Sequence, residues 1–263
     1  MLYKLLKYDL KSIYKNILLW NIFMIVMSFL AALNIDLSER TNMFGEIIFL
    51  ITGFSIGGNV LFYFIIIFNR YYKSLYDSEG YFLHTLPVKP WEIVFSKLIS
   101  ATIMGIFTAI SGFISLIIIY IFSMIKMNYD TTDLMNYILS YIMNYSGSLN
   151  GFILEYLSLF FEVVSIIIRV YFIISIVNIE FLEKHKFIYG SIMLFITEFI
   201  NQILCFILFR DTLGYRTFLV EYDSSLFVHS IRVSVDTIIL SIILLIIYYI
   251  LTLFILRKKL YIK

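Results

Sequence analysis

Six apolar runs govern what this chain of 263 residues can become: about 17–33, 45–68, 98–122, 151–177, 187–209 and 233–256. Each is long enough to cross roughly 30 Å of hydrocarbon as a helix. Inside a bilayer every backbone N–H and C=O must find its partner within the protein, so runs of this length are read as spanning helices. The expected fold is an all-α membrane protein, a single polytopic transmembrane domain over residues 1–263. Composition supports this, since 61% of the residues are hydrophobic and only 14% charged, far from the balance of a soluble domain. The single cysteine, Cys205, lies in an apolar run and excludes an intrachain disulfide framework. The bilayer is the expected partner, and no nucleic acid is.

The charges between the runs set the orientation. Lys and Arg on the side holding both termini, the segment between the second and third runs (69–97) and the one between the fourth and fifth number fourteen, against five on the other side; Arg169 falls inside a span. The positive-inside rule therefore places both termini in the cytoplasm of a multi-pass protein of a bacterial cell membrane. Lys4, Lys7, Lys11 and Lys15 fall within about 80° of helical arc, with Leu2, Leu6, Leu10 and Ile13 opposite. That split predicts a separate interfacial helix over residues 1–15, lying in the headgroup plane with its lysines toward anionic lipid. Of the outer loops, Arg210 to Arg232 mixes charges with apolar residues, a composition that fits a re-entrant segment and a surface loop alike.

Two spans carry polar stripes. Glu155, Ser158, Glu162, Ser165 and Arg169 share one face of the fourth run, and Glu198, Asn201, Gln202 and Cys205 one face of the fifth. Charged residues at this depth turn inward and pair. Arg169 and Glu198 lie about eight and eleven residues from the same ends of adjacent helices, which at ~1.5 Å per residue makes them nearly level and predicts a contact. The stripes fit a polar path or subunit seam equally with a buried ion pair that fixes packing. Ala101, Gly105, Thr108, Gly112 and Ser115 on the third run, and Gly53 with Gly57 on the second, predict close helix packing.

Catalytic constellations are absent from the sequence. The three histidines are scattered, no metal-ligand spacing joins them, and neither a nucleophile elbow nor a Gly-x-x-x-x-Gly-Lys-Ser/Thr loop occurs. The polar segments are too short for a nucleotide-binding domain. Work on a substrate would draw on a gradient or on a second polypeptide.

The longest polar insert on the cytoplasmic side carries the most specific pattern. Asn69 to Leu83 is able to form a short helix showing Tyr72, Leu75, Tyr76, Glu79 and Phe82 on one side, a docking face of aromatic and acidic groups. Pro87 and Pro90 then act as a hinge, and Pro90 with Trp91 and Glu92 suits the first turn of the third span. The run from Tyr72 through Tyr76, Asp77, Glu79, Gly80 and Tyr81 to Thr85-Leu86-Pro87-Val88, ending at Ser96-Lys97-Leu98, resembles the cytoplasmic loop of bacterial permeases of the type-2 ABC exporter superfamily. Leu5 to Lys11 resembles the start of those permeases, and Arg257 to Leu260 their basic tail.

The resemblance implies six spans per subunit, an amino-terminal elbow helix and a coupling helix between spans two and three. It also implies two permease subunits, identical or homologous, on a dimer of separate ABC ATPase subunits that hold ATP and Mg, with no cofactor in this chain. Coupling would fall to Tyr72, Tyr76, Asp77, Glu79, Gly80 and Tyr81, and the intramembrane path or packing to Glu155, Glu162, Arg169, Glu198, Asn201 and Gln202. The expected function is export of an amphipathic substrate such as an antimicrobial peptide, a drug or a lipid, without catalytic residues in this chain. Two other readings stand beside it: a non-transporting immunity or interaction protein that binds a peptide at its outer loops, and a gradient-driven carrier with glutamates as proton sites.

Overall fold

A computed structural model of the chain describes residues 2–34, 43–77, 80, 88–126, 149–179, 185–208 and 224–261. Six helices make up nearly all of it: α1 (Leu2–Asn34), α2 (Met43–Tyr76), α3 (Pro90–Lys126), α4 (Leu149–Val177), α5 (Lys186–Leu208) and α6 (Ser224–Tyr261). Each contains a stretch long and apolar enough to cross a membrane, and no strand occurs among the described residues. Large side chains such as Phe54, Leu61, Phe107, Phe195 and Phe254 stand exposed. In water such surfaces would drive aggregation, whereas hydrocarbon solvates them. The chain divides into two compact units, Met1–Ile138 and Leu139–Lys263.

In the first unit α1 packs against both α2 and α3. Its contacts with α2 pair Asn21 with Asn59 and Trp20 with Phe62, and with α3 they pair Asp9 with Lys97 and Phe29 with Phe122. Ascending numbers on α1 meet descending numbers on α2 and ascending ones on α3, so α1 runs antiparallel to α2 and parallel to α3. The Asn59 amide donates to Asn21 Oδ1 at 2.9 Å, and the Trp20 and Phe62 rings stack with centroids 3.7 Å apart. Between helices in hydrocarbon, such side-chain amides act as polar glue where apolar contact alone is not selective. The Tyr63 hydroxyl donates to the Ala101 carbonyl at 2.9 Å, over Gly105, where an added Cβ would meet that hydroxyl at 2.6 Å.

In the second unit α4 packs along α6 and, over a smaller area, against α5. Asn178 closes α4: its backbone N–H and its side-chain amide both donate to the Ile174 carbonyl, at 3.3 and 2.8 Å. The buried face of α4 lies in its second half, through Val164, Ile167, Ile168, Tyr171 and Ile173, whereas its first half leaves Ile153, Leu157, Leu159 and Phe160 exposed.

Four sequence expectations change. Residues 1–15 do not form a separate interfacial helix, because α1 continues from Leu2 to Asn34 without a break. No Pro or Gly interrupts it, and Asp9, Ile13, Ile17, Met24, Ser28 and Ala31 bury one continuous three–four stripe. Likewise α2 runs on to Tyr76, so the first half of the expected short helix over 69–83 is the last two turns of a spanning helix. Residues 224–232, taken from sequence as part of an outer loop, open α6. Finally, Gly53, Gly57 and Gly112 have nothing within 4 Å of an added Cβ, so these glycines seat no neighbouring helix within the described residues.

Candidate functional site

The end of α2 and the start of α3 each carry local hydrogen bonds that close or open the helix. Leaving α2, the Gly80 N–H donates to the Asp77 carbonyl at 2.8 Å, and the chain folds so tightly that a Cβ on Gly80 would lie 2.5 Å from the Leu75 carbonyl oxygen. Only glycine accepts that approach without a shift. Entering α3, the Lys89 backbone N–H donates to Glu92 Oε2 at 3.1 Å and the Glu92 N–H to the Lys89 carbonyl at 2.9 Å. This is half of a capping box, with Pro90 at the first helical position where its missing N–H costs nothing.

Of the expected coupling residues, Tyr72 and Tyr76 lie half-buried on the last turns of α2 with their rings stacked at 6.3 Å, and Asp77 is exposed. Gly80 is buried against Leu75. Glu79, Tyr81 and Pro87 lie outside the described residues. Pro90 is half-buried at the root of α3, beside an exposed Trp91.

Both helix roots are held by two consecutive residues of α1. The Arg70 guanidinium lies over the Tyr8 ring, 5.5 Å from its centroid. Asp9 and Lys97, each only 4% exposed, form an ion pair of 3.1 Å through Oδ1. Asp9 Oδ2 lies 3.1 Å from the Ser96 hydroxyl, whose single proton is shared with the Ile93 carbonyl at 2.9 Å. Sequence reasoning counted Lys97 among the basic residues of the cytoplasmic segment 69–97 and gave Asp9 no partner. A signal was present: at 100° per residue Asp9 falls on the apolar face of α1, opposite the lysines, and Lys97 lies on the same face of α3 as Ala101, Thr108 and Ser115. An acid and a base on the buried faces of two helices are candidates for each other.

In the second unit the expected Arg169–Glu198 contact is formed, through Arg169 Nη1 and Glu198 Oε2. Arg169 is buried while the Glu198 side chain keeps 53% of its surface exposed. The rest of the two stripes does not converge. Ser165 is buried, Glu155 and Asn201 are half-buried, and Glu162 and Gln202 are exposed with no partner among the described residues. The physical reason lies in α4 itself, whose stripe extends beyond the half of the helix that is packed.

No family model, curated protein or solved structure matches this chain.

Proposed function

We propose that this chain is the membrane-spanning subunit of an ATP-binding-cassette exporter, embedded in a bacterial cell membrane with both termini in the cytoplasm. In this reading it moves an amphipathic substrate outward, driven by a separate ATPase that docks on the segment between α2 and α3. The observation that carries the reading is the construction of that segment's roots. A glycine-tight exit from α2 and a capped, proline-initiated entry to α3 make a short connector between two long helices, each root in contact with α1. Helix ends fixed in this way suit the passing of a displacement into α2 and α3. The sequence resemblance over Tyr72 to Leu98 supplies the class of partner. A polypeptide without a phosphate-binding loop must borrow its nucleotide chemistry.

The test is affinity purification of the chain from its native membrane under gentle detergent. An ATPase of roughly 25 to 35 kDa, the size of one compact nucleotide-binding unit, is expected to come with it. Its absence would overturn the reading.

A gradient-driven carrier is the second reading, favoured by Glu162, a carboxylate exposed in a spanning helix. It requires transport that survives ATP depletion and stops with an uncoupler; the exporter reading requires the reverse.

A further inference from the structure

We propose that Lys11 and Lys15 of α1 seat the phosphate of an anionic phospholipid whose acyl chains run down the same face of the helix. The anionic-lipid expectation drawn from residues 1–15 keeps its chemistry but takes a different geometry, with the lipid standing along a spanning helix and not beneath a flat one. At ~1.5 Å per residue the 33 residues of α1 make a rod of about 50 Å, well beyond the ~30 Å of hydrocarbon. Lys4, Lys7, Lys11 and Lys15 are all exposed on one arc of it, and no carboxylate pairs with them among the described residues. The same arc goes on through Leu18, Ile22, Phe29 and Leu33, each also exposed. One outward stripe therefore changes from ammonium to hydrocarbon between Lys15 and Leu18, the order in which a phospholipid presents phosphate and acyl chain.

Depth distinguishes Lys11 and Lys15 from the other two lysines. α1 and α3 are parallel and pair Asp9 with Lys97, so Lys11 and Lys15 stand level with about Ile99 and Ile103, inside the run from Leu98 to Ile125 that carries no charge. α2 runs antiparallel and stacks Phe62 on Trp20, which brings Lys15 level with about Ile67, short of Arg70 where the charges of α2 resume. Lys15 thus lies deeper than the charged ends of both neighbours, and Lys11 deeper than that of α3. A lysine at such a depth bends its apolar stem toward the headgroups and pairs with phosphate there. An acidic lipid suits the site better than a zwitterionic one, whose own cation competes for its phosphate. A free phosphate would leave the apolar half of the stripe unused. A second copy of the chain on this face would set lysine against lysine, because Asp9, the sole acidic residue of α1, is turned to the opposite side and held by Lys97.

The test measures the lipid selectivity of the full chain in nanodiscs. Ile22→Trp, in a Trp91→Phe background, reports brominated acyl chains by quenching at an exposed position below Lys15. At equal mole fraction, brominated phosphatidylglycerol is expected to quench severalfold more effectively than brominated phosphatidylcholine. Adding Lys11→Gln/Lys15→Gln is expected to abolish that preference while quenching by phosphatidylcholine stays as it was, which also shows the helix to be intact. Lys73→Gln/Lys89→Gln, which removes two other exposed lysines, is expected to leave the preference in place. Equal quenching by the two lipids with all lysines present overturns the proposal. Equal loss of preference in both lysine pairs overturns it too, since that means a diffuse field at the charged helix ends without a seated lipid. Inorganic phosphate at constant ionic strength is expected to change nothing; if it abolishes the preference, the site takes a free anion and the lipid assignment falls. Native mass spectrometry of the unmodified chain needs no variant: after solubilisation in a mixture of the two lipids, phosphatidylglycerol is expected to stay bound in preference, and recovery of both in the supplied ratio overturns the proposal. Neither measurement involves an ATPase, so the outcome stands apart from the exporter reading.

Discussion

Asp9 and Lys97 each bring a formal charge into a seat that admits almost no solvent, and the asymmetry of buried ion pairs decides what their substitution does. Removing one partner leaves an uncompensated charge and costs about 3–5 kcal/mol, whereas replacing both with apolar residues of similar volume is often nearly neutral. Lys97→Met alone is accordingly expected to lose most of the folded protein in a detergent unfolding series, and Asp9→Leu/Lys97→Met to recover most of it. Equal losses in the single and double variants would show that the pair adds nothing to stability. Arg169 follows the same logic. Its guanidinium is buried and Glu198 is its counterion, so Glu198→Ala is expected to lower the folded yield more than Glu198→Gln, which retains a hydrogen-bond acceptor. Yield measured beside transport per folded molecule separates a packing role from a role in a polar path, because loss of yield with intact transport belongs to packing.

At the scale of the element, glycines distinguish the packed faces from the bare ones. A methyl group on Gly105 would press on the Tyr63 hydroxyl and displace it from the Ala101 carbonyl, and one on Gly80 would collide with the Leu75 backbone. Overpacking of this kind costs roughly 1–3 kcal/mol. Gly105→Ala is therefore expected to destabilise the chain in thermal unfolding, and Gly80→Ala, on the exporter reading, to weaken recovery of an ATPase per folded molecule. Gly53→Ala and Gly57→Ala meet open space, and as helix-interior changes they are expected to be neutral or stabilising by up to about 1 kcal/mol in thermal unfolding. Element boundaries followed different logic from element identity. The run of lysines on α1 was legible as an amphipathic pattern, but nothing in that pattern forces a helix to stop, and without a breaker between Lys15 and Ile17 it does not. The same holds where α2 passes Phe68: polarity marks where hydrocarbon ends, and a helix ends only where its backbone is capped or broken.

On the scale of the whole molecule, the division into two three-helix units places the polar segment between α2 and α3 inside the first and the Arg169–Glu198 pair inside the second. In both units the first and third helices share the larger contact. With fourteen basic residues on one side of the spans and five on the other, reporters fused to the two termini are expected to remain protected from external protease in intact cells. Digestion of either one would reverse the orientation and detach the connector from any cytoplasmic ATPase.

The number of membrane-length helices and the Arg169–Glu198 partnership were determined by the sequence alone, because each follows from a local count: residues against hydrocarbon thickness, or helical rise against distance from a common end. Which faces those helices bury was not a local matter. Asp9 and Lys97 stand 88 positions apart in a chain rich in lysine, and their meeting depends on α1 lying parallel to α3 in one register. That choice is made by the packing of Ile13, Ile17, Met24 and Ala31 and by the Asn21–Asn59 bond with α2. Hydropathy reports how much a residue resists water, and only the packed helices decide which neighbour relieves that resistance.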